Sequence, residues 1–469
     1  MANQNFLTYG SLVSEIEQIY NSPIAVNPKN ASIPLQTLYC FLSKVTPWSA
    51  NTVPVPTQDQ KTLKQIYKNI FAAKLITSSD ISPVIQRIDW TSGFIYSYYR
   101  DDIDMFVLNP DGTLIYPFYI KNRYDQVFKC LWNNNGGRAT DEPYFQPGQY
   151  NTNNIYEGVD GYKWKYIYTV DSGKKIKFMD LNWIPVPAPS QLISTLTTAG
   201  FGEIDVINVV NGGTGYDPAN AIITITVTGD GTGANAQVGN VTAGVIQDVI
   251  VTNPGSGYTY SNVTISTANN IGSGATFISP VSPIGGHGYD PLSELGCYNV
   301  MITGQFVGNE STTGNGVKVI PTNDGNGNPI EYYQMGLLIN PTTNSLSPNP
   351  ANGAIYKVST DFIVASAPDT GFVSGETIYQ GATLSTATFT ATVLAFDLSI
   401  NVAHVINITG TPTTNQSLKG VTSGSTRTLL TVNPPDFVVG SGYIAYIENL
   451  TGIQRSADGI EQFKIVLSY

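Results

Sequence analysis

The chain has 469 residues, room for roughly two to four domains at ~100–200 residues each. Only 12% of it is charged, and 23 Lys and Arg against 34 Asp and Glu leave a net charge of −11. That balance argues against a protein that grips nucleic acid through its phosphates, which needs clustered cations.

Taken in chain order, residues 11–20 predict a helix, with Leu12, Ile16 and Ile19 at helical spacing and Ser11 or Ser14 as N-cap. A second helix is predicted over about 58–75, with Leu63, Ile66, Tyr67, Ile70 and Phe71 on one face. The period then shortens. Residues 94–99 and 105–108 read as strands, and Asn109-Pro110-Asp111-Gly112 reads as a turn. Residues 127–131 and 162–168 alternate like half-buried strands. The proline-rich run 183–189 does not suit a central strand and closes this part of the chain.

Beyond it the chain repeats itself. Residues 204–210 lead into Gly213-Thr214-Gly215-Tyr216, then 223–227 and Gly231-Thr232-Gly233-Ala234. The same order follows in 246–251, Gly255-Ser256-Gly257-Tyr258, 263–265 and Gly272-Ser273-Gly274-Ala275. A third copy of the turn is Gly286-His287-Gly288-Tyr289. A weaker pair, 375–381 and 415–420, lies further on. Strand, glycine-tyrosine turn, strand, glycine turn is a small antiparallel unit. Composition shifts with the repeats. Residues 190–435 carry 32 of the 45 glycines and, with four basic and fourteen acidic residues, −10 of the net charge. The acidity is expected to be the solvated surface of these modules.

Chemical signatures are sparse. With 41% hydrophobic residues the chain can bury a sizeable core. Cys40, Cys130 and Cys297 are too widely spaced for a disulfide framework or a paired-cysteine metal site. Only His287 and His404 are available for a catalytic triad or zinc site. His404 lies in an apolar strand-like run and His287 at the variable position of a turn, so neither is assigned chemistry. The acidic run 100–104 is expected to be a solvated loop between aromatic strands. Asp324, Asn326 and Asn328 mimic the start of a calcium loop, but Pro329 and Met335 stand where its Gly and Glu belong. No glycine-rich stretch continues into Gly-Lys-Ser/Thr. Catalytic, cofactor-binding and metal residues are therefore all expected to be none. No apolar run approaches the ~18 residues of a membrane span. The polar N-terminus is not that of an ordinary secretory signal, and the chain reads as soluble and intracellularly made.

Several segments share an order with one family. Thr46-Pro47-Trp48-Ser49-Ala50-Asn51 follows a strand at 38–42, and Val84-Ile85-Gln86-Arg87-Ile88-Asp89-Trp90 follows the second helix. Val127-Phe128-Lys129-Cys130-Leu131 precedes Glu142-Pro143, and then comes Asp160-Gly161-Tyr162-Lys163-Trp164-Lys165-Tyr166. Met335 to Pro341, Ser441 to Asn449 and Glu461 to Tyr469 complete the series. Together they resemble the baseplate wedge subunit of T-even-type contractile-tailed bacteriophages, the gene-eight-product family. The resemblance implies a mainly β fold: a layered antiparallel β-sandwich core with a few helices near the N-terminus, here with inserted all-β modules. It implies core segments at 1–200, 284–347 and 436–469, with insertions at 201–283 and 348–435 that depart from compact family members.

The function it implies is a homodimeric structural subunit without enzymatic activity or cofactors. Its partners would be other wedge subunits, with no nucleic acid and no membrane insertion, and its place the virion tail baseplate after assembly in the host cytoplasm. The alternative is an adhesin that contacts a host receptor or glycan through the Gly-Tyr repeats, where exposed tyrosines would stack on sugars. A hydrolase using Asp/Glu pairs on the same modules is the third reading.

Overall fold

The computed structural model describes residues 37–50, 52–148, 153–187, 201–268, 271–308, 310, 321, 329–345, 349–456 and 458–468. The helix predicted at 11–20 and the calcium-like residues 324–328 lie outside them. Strands make up 46% and helices 7%, so the chain is mainly β, with antiparallel sheets and few helices, as predicted. It divides into two compact units: the described residues of Met1–Ile81 with Met301–Tyr469, and those of Ser82–Val300.

The first unit starts with β1 (Leu38–Ser43), α1 (Gln60–Asn69) and β2 (Ile70–Ile76). Asp59 caps α1, accepting from the backbone N–H groups of Lys61 and Thr62 at 3.0 Å. The helix ends at Asn69, not near Leu75. Ile70, Phe71 and Ile76 favour a pleated strand, and pairing β2 with β1 buries Phe71, Ala72 and Ala73 completely.

The second unit contains β3 (Ile81–Gln86), β4 (Tyr119–Lys121), β5 (Gln126–Asn133), β6 (Ile155–Glu157), β7 (Tyr162–Thr169), α2 (Ser172–Phe178) and β8 (Trp183–Pro185). One antiparallel sheet runs β4-β5-β7-β6, and the short, proline-ended β8 pairs with β3. Residues 94–99 are extended but join no ladder. Both edges of β5 are taken by β4 and β7, so the segment makes single backbone bonds, Ser97 N–H to Pro117 O and Tyr99 N–H to Cys130 O. Residues 105–108 keep one bridge, Leu108 to Leu114, about the predicted turn, where Asn109 N–H donates to Thr113 O at 2.7 Å. Leu108 and Ile115 are exposed there, too little burial to extend a ladder.

The first repeat region supplies β9 (Asn208–Thr214), β10 (Ile223–Gly229), β11 (Asn235–Thr242), β12 (Val245–Asn253), β13 (Ser261–Thr267) and β14 (Ser273–Ile278), before α3 (Pro291–Glu294). Each copy contributes three strands, and every ladder joins one strand from each: β9 with β14, β10 with β13, β11 with β12. The pattern is unchanged when the copies are exchanged, and Ile225 lies across from Ile265. Tyr216 OH accepts from Ala275 N–H at 3.3 Å, and Tyr258 OH from Ala234 N–H at 3.4 Å. Each turn tyrosine thus caps the glycine turn of the other copy. A Cβ on Gly231 would meet the Tyr258 ring at 2.5 Å, and one on Gly272 would overlap the Tyr216 ring. Those glycines are needed for close approach.

The chain then completes the first unit with β15 (Asn299–Val307), β16 (Glu331–Ile339), β17 (Ile355–Lys357), β18 (Thr360–Val364), β19 (Thr377–Gln380), β20 (Phe389–Asp397), β21 (Val402–Gly410), β22 (Ser417–Gly420), β23 (Thr426–Asn433), β24 (Tyr443–Gln454) and β25 (Ile460–Ser468). A five-stranded sheet runs β17-β2-β1-β16-β24, and β18-β21-β20-β19-β22-β23 closes into a barrel. The barrel again consists of three strands followed by three, with the weakly repeated segments meeting as β19 and β22. Its core holds Phe362, Phe372, Ile378, Phe389, Val405 and Leu418.

Candidate functional site

Alternation along β7 puts Tyr162, Trp164 and Tyr166 on one face and Lys163 and Lys165 on the other. On β5, Lys129 lies directly across from Lys165. The aromatic face packs with Tyr96, Phe128 and Cys130. The lysine face, left to solvent in a half-buried strand, is covered instead, and β5 is buried along its whole length. Leu131, Ile155 and the module's Val206 form one apolar cluster over it, and Asn208 Nδ2 donates to Leu131 O at 2.9 Å.

Like charges side by side on a sheet repel, and a carboxylate answers each lysine. Lys165 Nζ lies 3.1 Å from Asp205 Oδ1, Lys163 Nζ 2.9 Å from Asp248 Oδ1, and Lys129 Nζ 2.9 Å from Glu294 Oε1. Asp205 precedes β9, Asp248 sits in β12 and Glu294 ends α3. These three acids belong to the acidic excess of 190–435. The surface reading of that acidity is therefore corrected for Asp205 and Glu294, which are buried clamps, while Asp248, a third exposed, pairs at the edge of the face.

The centre of the clamp is sealed. The side chains of Lys129 and Glu294 are 0% and 2% exposed. His287, from the third Gly-x-Gly-Tyr turn, places Nδ1 2.6 Å from Glu294 Oε1 and 3.2 Å from Lys129 Nζ. Gly288 N–H donates to Glu294 Oε2 at 2.5 Å, and Lys129 Nζ stands 3.4 Å above the centroid of the Tyr99 ring. Burial and the neighbouring Lys129 charge hold the His287 pKa below its ordinary value, so the ring is neutral and its Nδ1–H donates to Glu294. Burial alone would raise the Glu294 carboxyl, but Lys129 and His287 outweigh it and hold it at about 2. Burial also lowers the Lys129 pKa, against the pull of Glu294. His287 Nε2 is 3.9 Å from Asp205 Oδ2, and that oxygen and Asn208 Oδ1 are buried without hydrogen-bond partners. A cleft of about 400 Å³ borders the clamp between Ile155, Glu157, Val206 and Ile250.

In the first unit His404 lies in β21 across from Asp361, the strand position expected for it. Its Nδ1 is 2.7 Å from Asp361 Oδ1, and Lys357 Nζ is 2.6 Å from Asp361 Oδ2. Burial would raise the Asp361 carboxyl, but His404 and Lys357 hold it below the usual range. At one end of the barrel the buried Arg427 donates to Ala365 O and Asn401 Oδ1, pairs with Asp369 and covers the Phe396 ring. Residues 100–104 are a loop, Arg100 pairing with Asp102 at 2.6 Å, but no strands flank it. Among the described residues no group of three or more His, Cys, Asp or Glu is disposed to hold a metal.

Several of the resembling segments are neighbours within a unit, although β25, which holds Glu461 to Ser468, is not in the sheet of β1, β16 and β24. In the first, β1, β16 and β24 are neighbours; Trp48 Nε1–H donates to Leu450 O and Asn449 Nδ2 to Pro54 O, both at 2.9 Å. In the second, β5 and β7 pair with Cys130 across from Trp164, and Trp90 N–H donates to Lys121 O at 2.9 Å. There Glu142 accepts from Arg123 N–H at 2.9 Å, and Asp160 Oδ2 accepts from Asp141 N–H at 2.9 Å. What the sequence reading missed is the role of Lys129, Lys163, Lys165, His287 and Glu294. The one available signal was three lysines on the same faces of two apolar strands. No family model matches the chain, and no curated protein matches it.

Proposed function

We propose that the chain is a structural subunit of a bacteriophage tail baseplate wedge, a homodimeric scaffold that bridges neighbouring baseplate proteins during assembly and contraction. The observation that carries this reading is the convergence of segments bearing the wedge resemblance. Leu38 to Leu42, Trp48, Met335 to Pro341 and Ser441 to Asn449, up to some 400 positions apart, share one sheet and its edge contacts. The scaffold acts by binding: its interfaces hold the wedge together and repack when the plate changes state. The buried clamp suits that role, because it fixes the first module to the β5–β7 face.

The adhesin alternative is less well supported. It relies on exposed tyrosines in the repeats for sugar stacking; Tyr216 and Tyr258 are buried, their rings lying over the glycine turns, which leaves Tyr260 and Tyr289 as the exposed ones. Analytical ultracentrifugation tests the scaffold. A dimer at micromolar concentration is expected; monomer throughout that range would count strongly against the proposal.

A further inference from the structure

Within the first unit a notch of about 190 Å³ opens where the chain beyond β1 meets α1 and two barrel strands. Lys44 and Thr46 line it from the first, Gln65 and Asn69 from α1, and Thr392 and Asn407 from β20 and β21. Two of these residues have backbones that L-residues rarely adopt: Lys44 at φ +59° and Asn407 at φ +54°. Each lies at an irregularity. The β1–β2 register shifts at Leu42/Ser43, and the β20–β21 register shifts opposite Asn407. Bulges of this kind re-aim side chains, and left-handed non-glycine residues persist where the surroundings hold them. Two such residues meet at one notch.

Its charge is one-sided. The buried lysines Lys121, Lys129, Lys163, Lys165 and Lys357 each pair with a carboxylate. Lys44, half-buried, pairs with none among the described residues. Its Nζ donates to Thr46 Oγ1 at 3.1 Å and lies 4.6 Å from the centroid of the Trp48 ring. Burial depresses its pKa, the signature of an ammonium with water removed and no counter-charge supplied. Three carboxamides, two hydroxyls and Val45 complete the lining, with no carboxylate.

We propose that this notch binds a small oxyanion, a phosphate or carboxylate group, with Lys44 as the charge partner and Gln65, Asn69 and Asn407 as hydrogen-bond donors. Occupancy would tie α1 to the barrel beside the contact that Lys68 Nζ already makes with Thr409 Oγ1 at 3.2 Å. The inference does not rest on the scaffold reading, and neither depends on the other's outcome.

Isothermal titration of the full chain with inorganic phosphate, and separately with acetate, tests it, glucose serving as the neutral control. Saturable binding of at least one anion and none of glucose is expected. Lys44→Asn removes the charge while keeping a residue that tolerates φ +59°, and Asn407→Gly fits its backbone without strain. Both should fold, and each should weaken anion binding about tenfold or more, the order of losing one charge-assisted contact. The proposal is overturned if neither anion saturates, if glucose binds equally well, or if both variants keep wild-type affinity.

Discussion

Glu294→Gln removes the charge at the centre of the clamp and, with it, the Oε2 that accepts from Gly288 N–H at 2.5 Å. The glutamine keeps the size of the side chain, and its carbonyl oxygen can still accept from His287 Nδ1–H. Lys129, 0% exposed and 2.9 Å from the lost carboxylate, is left with no direct counter-charge. Removing one member of a buried pair costs about 3–5 kcal/mol, some two to four powers of ten in the opening equilibrium. The upper part of that range applies if Asp205, already engaged by Lys165, does not reorient. Native-state hydrogen exchange on the amides of β5 and β7 reads this unit without assuming that the whole chain unfolds in one step. Lys129→Met in the Glu294→Gln background removes the stranded charge and should restore more than half of the loss. A single-variant cost below about 1 kcal/mol, the range of an exposed pair, would refute the buried-clamp account. So would a double variant whose loss equals the sum of the two single losses.

Acid should weaken the same unit in two stages. His287 stays neutral when folded, so the unfolded chain gains protons that the folded one refuses as the pH drops below about 6.5, and stability falls with it. Glu294, held at about 2 against an ordinary 4.5, adds a second loss as the pH falls from about 4.5 towards 2. Unfolding midpoints across pH should show both stages in the wild type, and the first should vanish in His287→Asn; an unchanged profile would exclude His287 as its source. In the module, Gly231→Ala places a Cβ 2.5 Å from the Tyr258 ring and should cost about 1–3 kcal/mol by overpacking. Alanine at the exposed Gly424, where the added Cβ meets nothing but φ is +68°, separates crowding from backbone strain. Gly231 itself is not left-handed, so a Gly231→Ala loss below about 1 kcal/mol in urea titrations would remove crowding as a cost there.

The parts of the fold legible in the sequence are those governed by local chemistry. The repeats showed because a tyrosine lying over glycine leaves a fixed signature, Gly-x-Gly-Tyr, at each corner. The turn at 109–112 showed because Asn, Pro, Asp and Gly each favour it for a backbone reason. The end of α1 did not show: Ile70 and Phe71 continue the helical face, and only the demand of β1 for a partner turns them into a strand. Nor did the clamp. Alternation gave the two faces of β7 correctly, but which face is covered depends on Asp205 and Asp248, 40 and 85 residues away in the hydrogen-bonded pairs. His287 was hidden for a related reason. It occupies the position filled by Thr214 and Ser256 in the module's own turns, so its spacing matched while its environment did not.

Both repeat regions answer the same physical difficulty in different ways. A unit of three short strands buries little apolar surface and exposes two edges, each open to pairing with other chains. A second copy supplies the missing partner. In the first region the copies exchange strands across three separate ladders, and the Tyr216 and Tyr258 caps lock the exchange. In the second, like strands meet like, β18 with β21 and β19 with β22, and the ring closes. Closure removes edges altogether, and the barrel core holds four phenylalanines, Phe362, Phe372, Phe389 and Phe396. The first region lacks that core: its buried members are chiefly Ile, Val and two Tyr. Its stability then leans more on what it packs against, which is where Asp205, Asp248 and Glu294 meet the lysine face. Breaking the clamp should therefore raise hydrogen exchange in β9 and β12 along with β5 and β7, whereas substitutions at Asp361 or His404 should leave those four strands protected.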